Sequence, residues 1–411
     1  MVPATVLIVA ALARVVVPPP SDHGRKRVLM LISDTGGGHR ASAAALESMM
    51  QQESNSNVDV QIVDIWTEHG IWPDNTMART YPILCRYPPL YRFVYYTSPL
   101  IEKSWFHISR LTCGKRFTRA METFDPDLVV SLHPLTQHLP LVLTRRLRDG
   151  SVPFATVCTD LGGAHPAWFV PGVDACFVPS EALRQKAISR GVDSSKIHQI
   201  GLPVREQFWK ATARGAKPSA KQLAKLGLAS EKKTVLVMGG GDGMGNLVPI
   251  VDATAQRLAA DHPGEAQVVA LCGKNAAAKA KLEAKRDAGR WGGGVNVEVR
   301  GFTSDMSEYM EAADSLITKA GPGTIAEAAI RGLPTMLSSH LPGQERGNVA
   351  FVVENGFGAF ARRPKTIAQT VSSWLRADST DLEQMSANAR AVATPGATKQ
   401  IARSLLAMIE S

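Results

Sequence analysis

The sequence predicts an α/β protein with two doubly wound domains that face each other across a cleft. Short apolar runs rich in β-branched residues alternate with helical stretches, which is typical of parallel sheets. Two halves of similar size each open with a strand that leads into three glycines, and a lysine-rich polar stretch separates them. A chain of 411 residues is long enough for roughly two or three domains of ordinary size.

Residues 28–209 are predicted to form the first domain. Apolar runs that begin at residues 28, 60, 128, 154, 176 and 196 are its expected strands. An alanine-rich helix is expected directly after the first strand, and the glycines at 36–38 form the turn between them. This order of a strand, a glycine turn and a helix places the turn at the carboxyl end of the sheet, where open α/β sheets bind ligands.

The second half repeats this alternation over residues 234–395. Its expected strands begin at residues 234, 267, 295, 315 and 334. Residues 210–233 are predicted to be a linker with a surface helix, and residues 396–411 a C-terminal helix. The carboxyl ends of the two sheets would then face the same cleft.

Composition limits the classes of function. Lysine plus arginine outnumber aspartate plus glutamate by 46 to 37, and the resulting charge of +9 predicts an anionic partner such as phosphate, nucleic acid or an acidic membrane. The five cysteines are far apart and include no C-x-x-C pair, which excludes a disulfide framework and a zinc knuckle.

Residues 1–27 are predicted to be a tail or a targeting remnant outside the folded domains. Their apolar run at 5–17 is shorter than the roughly 20 residues that a membrane-spanning helix needs. Basic residues at 25–27 follow this run, so a signal remnant and a gene-model artefact both stay open.

Residues 72–117 interrupt the strand and helix alternation. Five of the six tyrosines fall between residues 81 and 96, and arginines and lysines are interleaved with them. A basic, aromatic, amphipathic surface is typical of protein at an anionic membrane interface, and a helical subdomain with its own aromatic core is the alternative. The predicted contacts with the membrane or anionic lipid are Arg79, Arg86, Tyr91, Arg92 and Trp105.

The turn SDTGGGHR follows the first strand and opens a helix. Gly36, Gly37 and Gly38 let the backbone approach a ligand closely, and the free N–H groups of the helix start attract negative charge. His39 is a candidate general base near neutral pH. The alternative role for this histidine is structural, either to cap the helix or to satisfy hydrogen bonds of the loop.

Two further glycine-rich turns, GGGDGMGN at residue 239 and KAGPGTIAEA at residue 319, lead from strands into helices. Neither has the lysine and hydroxyl pair of a P-loop. Two such helix starts suit a diphosphate held by N–H groups without a metal, and a purely structural turn is the alternative. Beyond them, Gln344 and Glu345 offer an amide and a carboxylate that suit sugar hydroxyls, although a solvated turn has the same composition.

No metal site is expected. Asp125 and Asp127 flank a proline just before a strand, which is more typical of a turn than of a metal-ligand pair. His133 and His138 lack a third nearby ligand and do not form a zinc site.

These motifs together resemble those of the monogalactosyldiacylglycerol synthases, the galactolipid-forming enzymes of photosynthetic membranes. The resemblance covers residues 28–363 and rests, in order, on SDTGGGHRAS, SLHPLTQHLP, GLPVR, MGGGDGMG, ITKAGPGTIAEAAIRGLP and LPGQERGNVAFVVENGFG. More distantly, the chain is similar to the bacterial transferase that adds N-acetylglucosamine to the lipid-linked peptidoglycan precursor. The resemblance implies a GT-B fold of two Rossmann-like domains, the first for the acceptor and the second for a UDP-sugar. Where plant members carry a polar stretch after TDL, this chain has glycine and alanine at 162–164.

The resemblance also implies residue roles. His39 would act on the acceptor hydroxyl as the catalytic base, with Asp160 as its rival. Arg205 and the glycine turns would hold the diphosphate, and Phe302 would border the uracil. Glu327 would accept the ribose hydroxyls, and Gln344 with Glu345 would hold the galactose. The full predicted donor set is Arg205, Gly239, Gly240, Gly241, Phe302, Gly321, Pro322, Gly323, Thr324, Glu327, Gln344, Glu345 and Asn348, and the predicted acceptor loop comprises Gly36, Gly37, Gly38, His133 and Trp168.

The activity implied by the resemblance is inverting transfer of galactose from UDP-galactose to the free hydroxyl of 1,2-diacylglycerol. No cofactor is expected, and an anionic phospholipid surface would be the partner and activator. The implied location is peripheral, on the chloroplast envelope membrane, although no clear transit peptide is present. A homodimer is left open. Nucleic acid is not an expected partner. The alternatives are a diacylglycerol glucosyltransferase, a transferase to another lipid acceptor, and a binding module for anionic lipid or RNA with nucleotide-type loops.

Overall fold

The computed structural model of this chain describes residues 24–210, 218–241, 243 and 245–410. Most of the predicted N-terminal tail, up to residue 23, and residues 211–217 of the predicted linker lie outside the described residues. The described residues form two α/β domains, each built on a six-stranded sheet. The predicted fold class is confirmed.

The first sheet has the strand order β2-β1-β3-β4-β5-β6, and all its strands are parallel. Val28 pairs with Val60 on one side and with Leu128 on the other, so β1 is an internal strand, and its apolar side chains at 28–32 are buried. Its strands are β1 (Lys26–Ile32), β2 (Val58–Asp64), β3 (Leu128–Ser131), β4 (Phe154–Val157), β5 (Ala175–Val178) and β6 (Ile197–Gln199).

The second sheet has the order β12-β11-β10-β7-β8-β9 and is also parallel throughout. Its strands are β7 (Lys233–Met238), β8 (Ala266–Leu271), β9 (Asn296–Arg300), β10 (Ser315–Lys319), β11 (Thr335–Ser339) and β12 (Gly358–Phe360). The eleven predicted strands all form, and β12 is an additional edge strand that the sequence pattern did not predict.

The helices cover both faces of each sheet and connect its parallel strands. The α-helices of the first half are α1 (Gly37–Glu53), α2 (Ile65–His69), α3 (Met77–Cys85), α4 (Pro88–Phe124), α5 (His138–Thr144) and α6 (Glu181–Ser189). Those of the second half are α7 (Ala220–Lys225), α8 (Leu247–Asp261), α9 (Ala276–Asp287), α10 (Met306–Ala312), α11 (Pro322–Arg331), α12 (Arg346–Glu354), α13 (Pro364–Trp374), α14 (Asp381–Val392) and α15 (Ala397–Glu410). Short 3₁₀ helices lie at Asp74–Thr76, Pro134–Thr136, Leu147–Gly150, Pro166–Trp168, Ser194–Lys196 and Glu206–Phe208.

The C-terminal helix α15 returns to the first domain and packs on α1. Ile401, Leu405 and Ile409 are buried in the same apolar cluster as the core of the first sheet. This burial of one amphipathic face explains why the chain crosses back after completing the second domain. Within the predicted linker, α7 behaves as part of the second domain, because Leu223 and Leu226 are buried in that core.

The two domains touch at one side of the cleft through glycines. A side chain at Gly162 would overlap the carbonyl group of Gly347, and a side chain at Gly347 would overlap Gly162 in return. Asn348 strengthens this contact, because its Oδ1 accepts the N–H of Gly162 at 2.8 Å and its Nδ2 donates to the carbonyl of Ala320 at 2.9 Å. The glycines at 162 and 163 therefore permit the backbones of the two domains to meet.

Candidate active site

The first glycine turn joins β1 to α1 at the carboxyl end of the first sheet. Gly36 has φ of 100°, a backbone conformation that favours glycine, and it precedes the first residue of α1. Gly37 and Gly38 are exposed, and a side chain at either position would meet no protein atom within 4 Å. The start of α1 thus offers backbone N–H groups to the cleft, as the sequence predicts.

His39 is the third residue of α1 and is buried. Its Nδ1 lies 3.0 Å from the carbonyl oxygen of Leu132 and 2.7 Å from Oγ1 of Thr159. Because a carbonyl oxygen only accepts, Nδ1 carries the proton and the lone pair is on Nε2. Burial lowers the pKa of His39 to about 4, although the Leu132 carbonyl and Asp34 oppose that shift. The imidazole is therefore neutral at pH 7 and able to accept a proton.

His133 supports this arrangement from the end of β3. Its ring meets the ring of His39 edge to face at 4.4 Å, its Nε2 contacts Oγ1 of Thr35 at 2.8 Å, and its Nδ1 accepts the N–H of Leu135 at 3.1 Å. Burial, followed by the nearby His39 and His165, lowers the pKa of His133 well below its usual value. His133 is therefore uncharged, and its contacts with Thr35 and with the ring of His39 help to hold His39 in place.

Asp160, the rival base, lies after β4 and is also buried. Its Oδ2 accepts the indole N–H of Trp168 at 2.7 Å, and its Oδ1 accepts the side-chain amide of Gln344 at 3.4 Å. Burial raises the pKa of Asp160 to about 7, while these two hydrogen bonds act to lower it. Trp168 is fully buried between the two candidate bases, with its ring 6.1 Å from that of His39.

The second domain brings two glycine turns to the opposite side of the cleft. Gly240, with φ of 71°, accepts the N–H of Gly243 in a tight turn after β7, between Gly239 and Gly241. The other turn caps α11 at Gly321, and a side chain at Gly323 would meet no protein atom within 4 Å. No acidic residue lies in the first turn of α11, where Pro322 and Thr324 flank Gly323. The start of this helix is suited to an anion.

Arg205 and Glu327 form an ion pair, with Nη2 and Oε1 3.0 Å apart. Burial raises the pKa of Glu327, and the neighbouring Arg205 opposes that rise. The Nε of Arg205 is buried and has no hydrogen-bond partner among the described residues. A buried donor without a partner is costly in a folded protein, so this guanidinium has capacity for a ligand acceptor.

Three residues of the LPGQERGN motif are engaged with the protein itself. Glu345 is buried, lies 2.6 Å from Nζ of Lys319 and accepts the N–H of Leu341 at 2.8 Å. Gln344 accepts a hydrogen bond from the hydroxyl of Tyr91 at 2.6 Å and donates to Asp160. The amide of Asn348 is fully buried at the contact between domains. The predicted sugar contacts of Gln344 and Glu345 and the donor contact of Asn348 stay predictions.

Phe302, the predicted neighbour of the uracil, lies on the loop after β9 and is 70% exposed. An exposed phenylalanine at the carboxyl edge of this sheet is available for stacking on a base. Lys319 was not predicted as an individual site residue. Its position at the last residue of β10, directly before the glycine turn, was the signal available in the sequence.

Helices α3 and α4 carry the predicted membrane surface. Most of the exposed large apolar side chains of the described chain lie here, interleaved with exposed cations. These apolar side chains are Trp72, Ile83, Tyr87, Leu90, Phe93, Val94, Tyr96, Leu100, Ile101, Ile108 and Leu111. The exposed cations are Arg79, Arg86, Arg92, Lys103, Arg110, Lys115, Arg116 and Arg119. We call this set the basic apolar face.

Two residues predicted to belong to that surface do not lie on it. Tyr91 is only 6% exposed and contacts Gln344, while Trp105 packs against Trp66 with ring centroids 4.9 Å apart. The helical period separates them from the outer face, and Cys113 and Phe117 are also buried in the core of the first domain. The aromatic segment therefore has both an internal core and an exposed surface.

Within the described residues, no helix combines the length and the apolar character needed to cross a bilayer. The same part of the chain contains no group of three or more histidine, cysteine, aspartate or glutamate side chains arranged to hold a metal ion. The five cysteines are buried and unpaired.

Two parallel six-stranded sheets, with glycine-lined helix starts facing one cleft, form the two Rossmann-like domains of a GT-B fold. The fold is similar to that of Acinetobacter baumannii MurG, with a TM-score of 0.57 at 15% identity over 93% of this chain and 99% of that one. It is also similar to Staphylococcus aureus MnaA solved with UDP, with a TM-score of 0.60 at 15% identity over 94% of this chain and 98% of that one. Residues 234–401 match the glycosyltransferase family 28 C-terminal domain.

The family is defined by closer relatives. Residues 39–204 match the monogalactosyldiacylglycerol (MGDG) synthase family model. The chloroplastic monogalactosyldiacylglycerol synthase of Spinacia oleracea is 40% identical over 86% of this chain and 67% of its own length. Monogalactosyldiacylglycerol synthase 1 of Arabidopsis thaliana is 41% identical over 85% of this chain and 64% of its own length. Synthase 2 of the same plant is 39% identical over 84% of this chain and 73% of its own length. The chain belongs to the monogalactosyldiacylglycerol synthase family.

Proposed function

We propose that this protein transfers galactose from UDP-galactose to the free hydroxyl of 1,2-diacylglycerol, with inversion at the anomeric carbon. The observation that supports this most directly is a series of contacts across the cleft. His39 lies beside Trp168, Trp168 donates to Asp160, and Asp160 accepts from Gln344 of the second domain. This proximity of the proposed base on one domain to the proposed sugar-binding amide on the other supports a single shared site.

On the donor side, the diphosphate of UDP-galactose binds at the glycine turns of the second domain. The N–H groups at the start of α11 and the unpartnered Nε of Arg205 supply positive potential for it. These groups also stabilise the charge that develops on the departing UDP. UDP-galactose is a co-substrate in this proposal, which includes no cofactor.

On the acceptor side, the hydroxyl of diacylglycerol approaches the Nε2 of His39. The neutral imidazole accepts the hydroxyl proton as the new bond to the anomeric carbon forms. Attack on the face opposite the departing UDP inverts the configuration and gives a β-galactoside. The contact between Gly162 and Gly347 keeps the two domains together and helps to exclude water from the reaction.

The basic apolar face supports a membrane location for the reaction. Its exposed apolar side chains suit the lipid interface, and its cations suit anionic headgroups. An anionic phospholipid therefore serves as partner and activator. Since the relatives are named chloroplastic, the location that we propose is peripheral, on a chloroplast envelope membrane.

The test is product analysis with purified protein, diacylglycerol and either UDP-galactose or UDP-glucose. Vesicles of phosphatidylcholine with and without phosphatidylglycerol provide the acceptor surface. We expect a β-linked galactolipid from UDP-galactose, faster on the anionic vesicles, with anomeric configuration assigned by NMR. A glucolipid formed only from UDP-glucose would instead assign the protein as a diacylglycerol glucosyltransferase. Vesicles without diacylglycerol are the control for acceptor-independent hydrolysis.

A further inference from the structure

The tyrosines of α3 and α4 are divided between two environments. Tyr87 and Tyr96 are exposed, whereas Tyr91 and Tyr95, one helical turn apart, face the interior. Burial raises the pKa of both Tyr91 and Tyr95, so their hydroxyls are neutral hydrogen-bond donors at any physiological pH. The inner face of α4 therefore presents neutral tyrosine hydroxyls to the protein, whereas its outer face belongs to the basic apolar face.

These inner tyrosines contact a loop of the other domain. The hydroxyl of Tyr91 donates to Oε1 of Gln344 at 2.6 Å. The ring of Tyr95 packs so closely on Gly343 that a side chain at this glycine would overlap it. Two consecutive residues of the sugar-binding loop are thus held by α4, a helix of the first domain.

The Tyr91 contact sets the orientation of the Gln344 amide. A phenol that donates to Oε1 fixes the oxygen end of the amide toward α4, so Nε2 is directed to the side of Asp160. Without the phenol, only the longer hydrogen bond to Asp160, at 3.4 Å, opposes a half-turn rotation that would exchange the donor and acceptor ends of the amide. A sugar hydroxyl can donate to the oxygen end or accept from the nitrogen end, so the half turn changes the direction of the hydrogen bond that the hydroxyl makes.

We propose that Tyr91 is a positioning residue for the donor sugar. Recognition of the sugar then depends, through Tyr91, on the position of α4 relative to the second domain. This inference rests on the proposed function, because it assumes that Gln344 contacts the hexose. Tyr91 itself touches neither the reacting atoms nor, in this proposal, the sugar. Its effect acts through the amide of Gln344.

The test is Tyr91→Phe, which removes only the hydroxyl and keeps the buried ring. Loss of one hydrogen bond to the amide is expected to raise the KM for UDP-galactose about tenfold, with kcat changed less than about twofold. Discrimination between UDP-galactose and UDP-glucose should fall with it. Tyr309→Phe is the matched control, since it removes the hydroxyl of another buried tyrosine, one that donates to the carbonyl of Leu226. A drop in kcat without a change in KM, or equal effects of the two variants, would overturn the inference.

A double-mutant cycle separates positioning from general destabilisation. In a Gln344→Ala background, Tyr91→Phe is expected to have no further effect on the KM for UDP-galactose, because its only route to the sugar has been removed. Effects that multiply, as they do for independent sites, would contradict the inference.

Calorimetry without acceptor distinguishes failure of this inference from failure of the proposed function. If no galactolipid forms but Tyr91→Phe still weakens UDP-galactose binding about tenfold and spares UDP, the inference stands and the proposed acceptor is wrong. If the variant weakens UDP equally, or if the unaltered protein binds UDP-galactose no more tightly than UDP, the positioning role is overturned.

Discussion

Helices α1 and α11 both begin after a glycine at the carboxyl end of a strand, and both carry a glycine as their second residue. A side chain at Gly38 or Gly323 would meet no protein atom within 4 Å, and neither first turn contains an acidic residue. The third helical residue differs, since it is His39 in α1 and Thr324 in α11. The two helix starts therefore differ in the side chain that they present, and also in the backbone before them, since Gly36 has φ of 100° and Gly321 has φ of −73°.

This difference suits the two helix starts to different chemical roles. In α1 the buried imidazole is held neutral, with its pKa lowered to about 4, and its Nδ1 is fixed by the carbonyl of Leu132. In α11 the small Thr324 leaves the helix start accessible, and the partly exposed Arg205 adds a cation nearby. In the proposed function, the third helical residue and the neighbouring charges make α1 the site of the base and α11 the anion site.

The largest expected effect is that of His39→Ala. Removing the base from α1 should lower kcat about 10²- to 10⁴-fold, because general base catalysis contributes that much. The affinity for UDP should stay within about twofold, since the proposed donor site lies at α11 and not at α1. Turnover assays and calorimetry measure the two quantities separately. Activity retained in this variant would transfer the role of base to Asp160.

The pH dependence of kcat/KM compares the two candidate bases directly. A base must be unprotonated, so the rate falls as the pH drops below its pKa. With His39 as the base, the pKa of about 4 predicts a plateau from pH 8 to about 5.5. A loss of about tenfold per pH unit that begins near pH 7 would indicate Asp160, whose pKa is about 7 and which is influenced by the charges of Glu345 and Lys186.

A matched pair of glycine variants tests the division between the two helix starts. Gly323→Ala places a methyl group where the phosphates would approach, and we expect UDP to bind about tenfold more weakly. Gly38→Ala should leave UDP affinity within about twofold and raise the KM for diacylglycerol. Alanine is favourable inside a helix, so neither variant should lower Tm. Gly396→Ala, at another exposed glycine with open space around it, is the control. Equal losses of UDP affinity at Gly38 and Gly323 would contradict the division.

Periodicity predicted the sheets well, because eleven of the strands are apolar runs bounded by turn residues. Strand β12 was missed because Gly358–Phe360 contains a glycine and no β-branched residue, so no apolar run of the strand type marks it. The partner of α15 could not be predicted either. An amphipathic helix shows which face is buried but not which domain buries it, and α15 packs on α1.

The same limit applies to the candidate site. Glycine turns at strand ends are visible in the sequence, and the structure places them at the cleft. The pairing of Tyr91 with Gln344 joins residues 253 positions apart, and that of Arg205 with Glu327 joins residues 122 apart. Such contacts depend on how the domains pack, and the spacing of residues within one short motif does not reveal that packing. Composition alone also could not separate the buried Tyr91 from its exposed neighbours.

The last expected effect is on membrane binding and not on turnover, and it concerns the exposed side of α3 and α4, which the two helix starts do not share. Replacing both Arg86 and Arg92 by Ala should weaken binding to anionic vesicles about thirtyfold at low salt, since each cation near such a surface contributes about 1 kcal/mol. The difference should shrink in about 0.5 M salt, where exposed charges are screened. Lys281→Ala with Arg290→Ala removes the same charge from an exposed part of the second domain and should leave vesicle binding unchanged. Vesicle sedimentation measures both pairs, and an equal loss for both would mean that net charge, rather than the basic apolar face, directs the protein to the membrane.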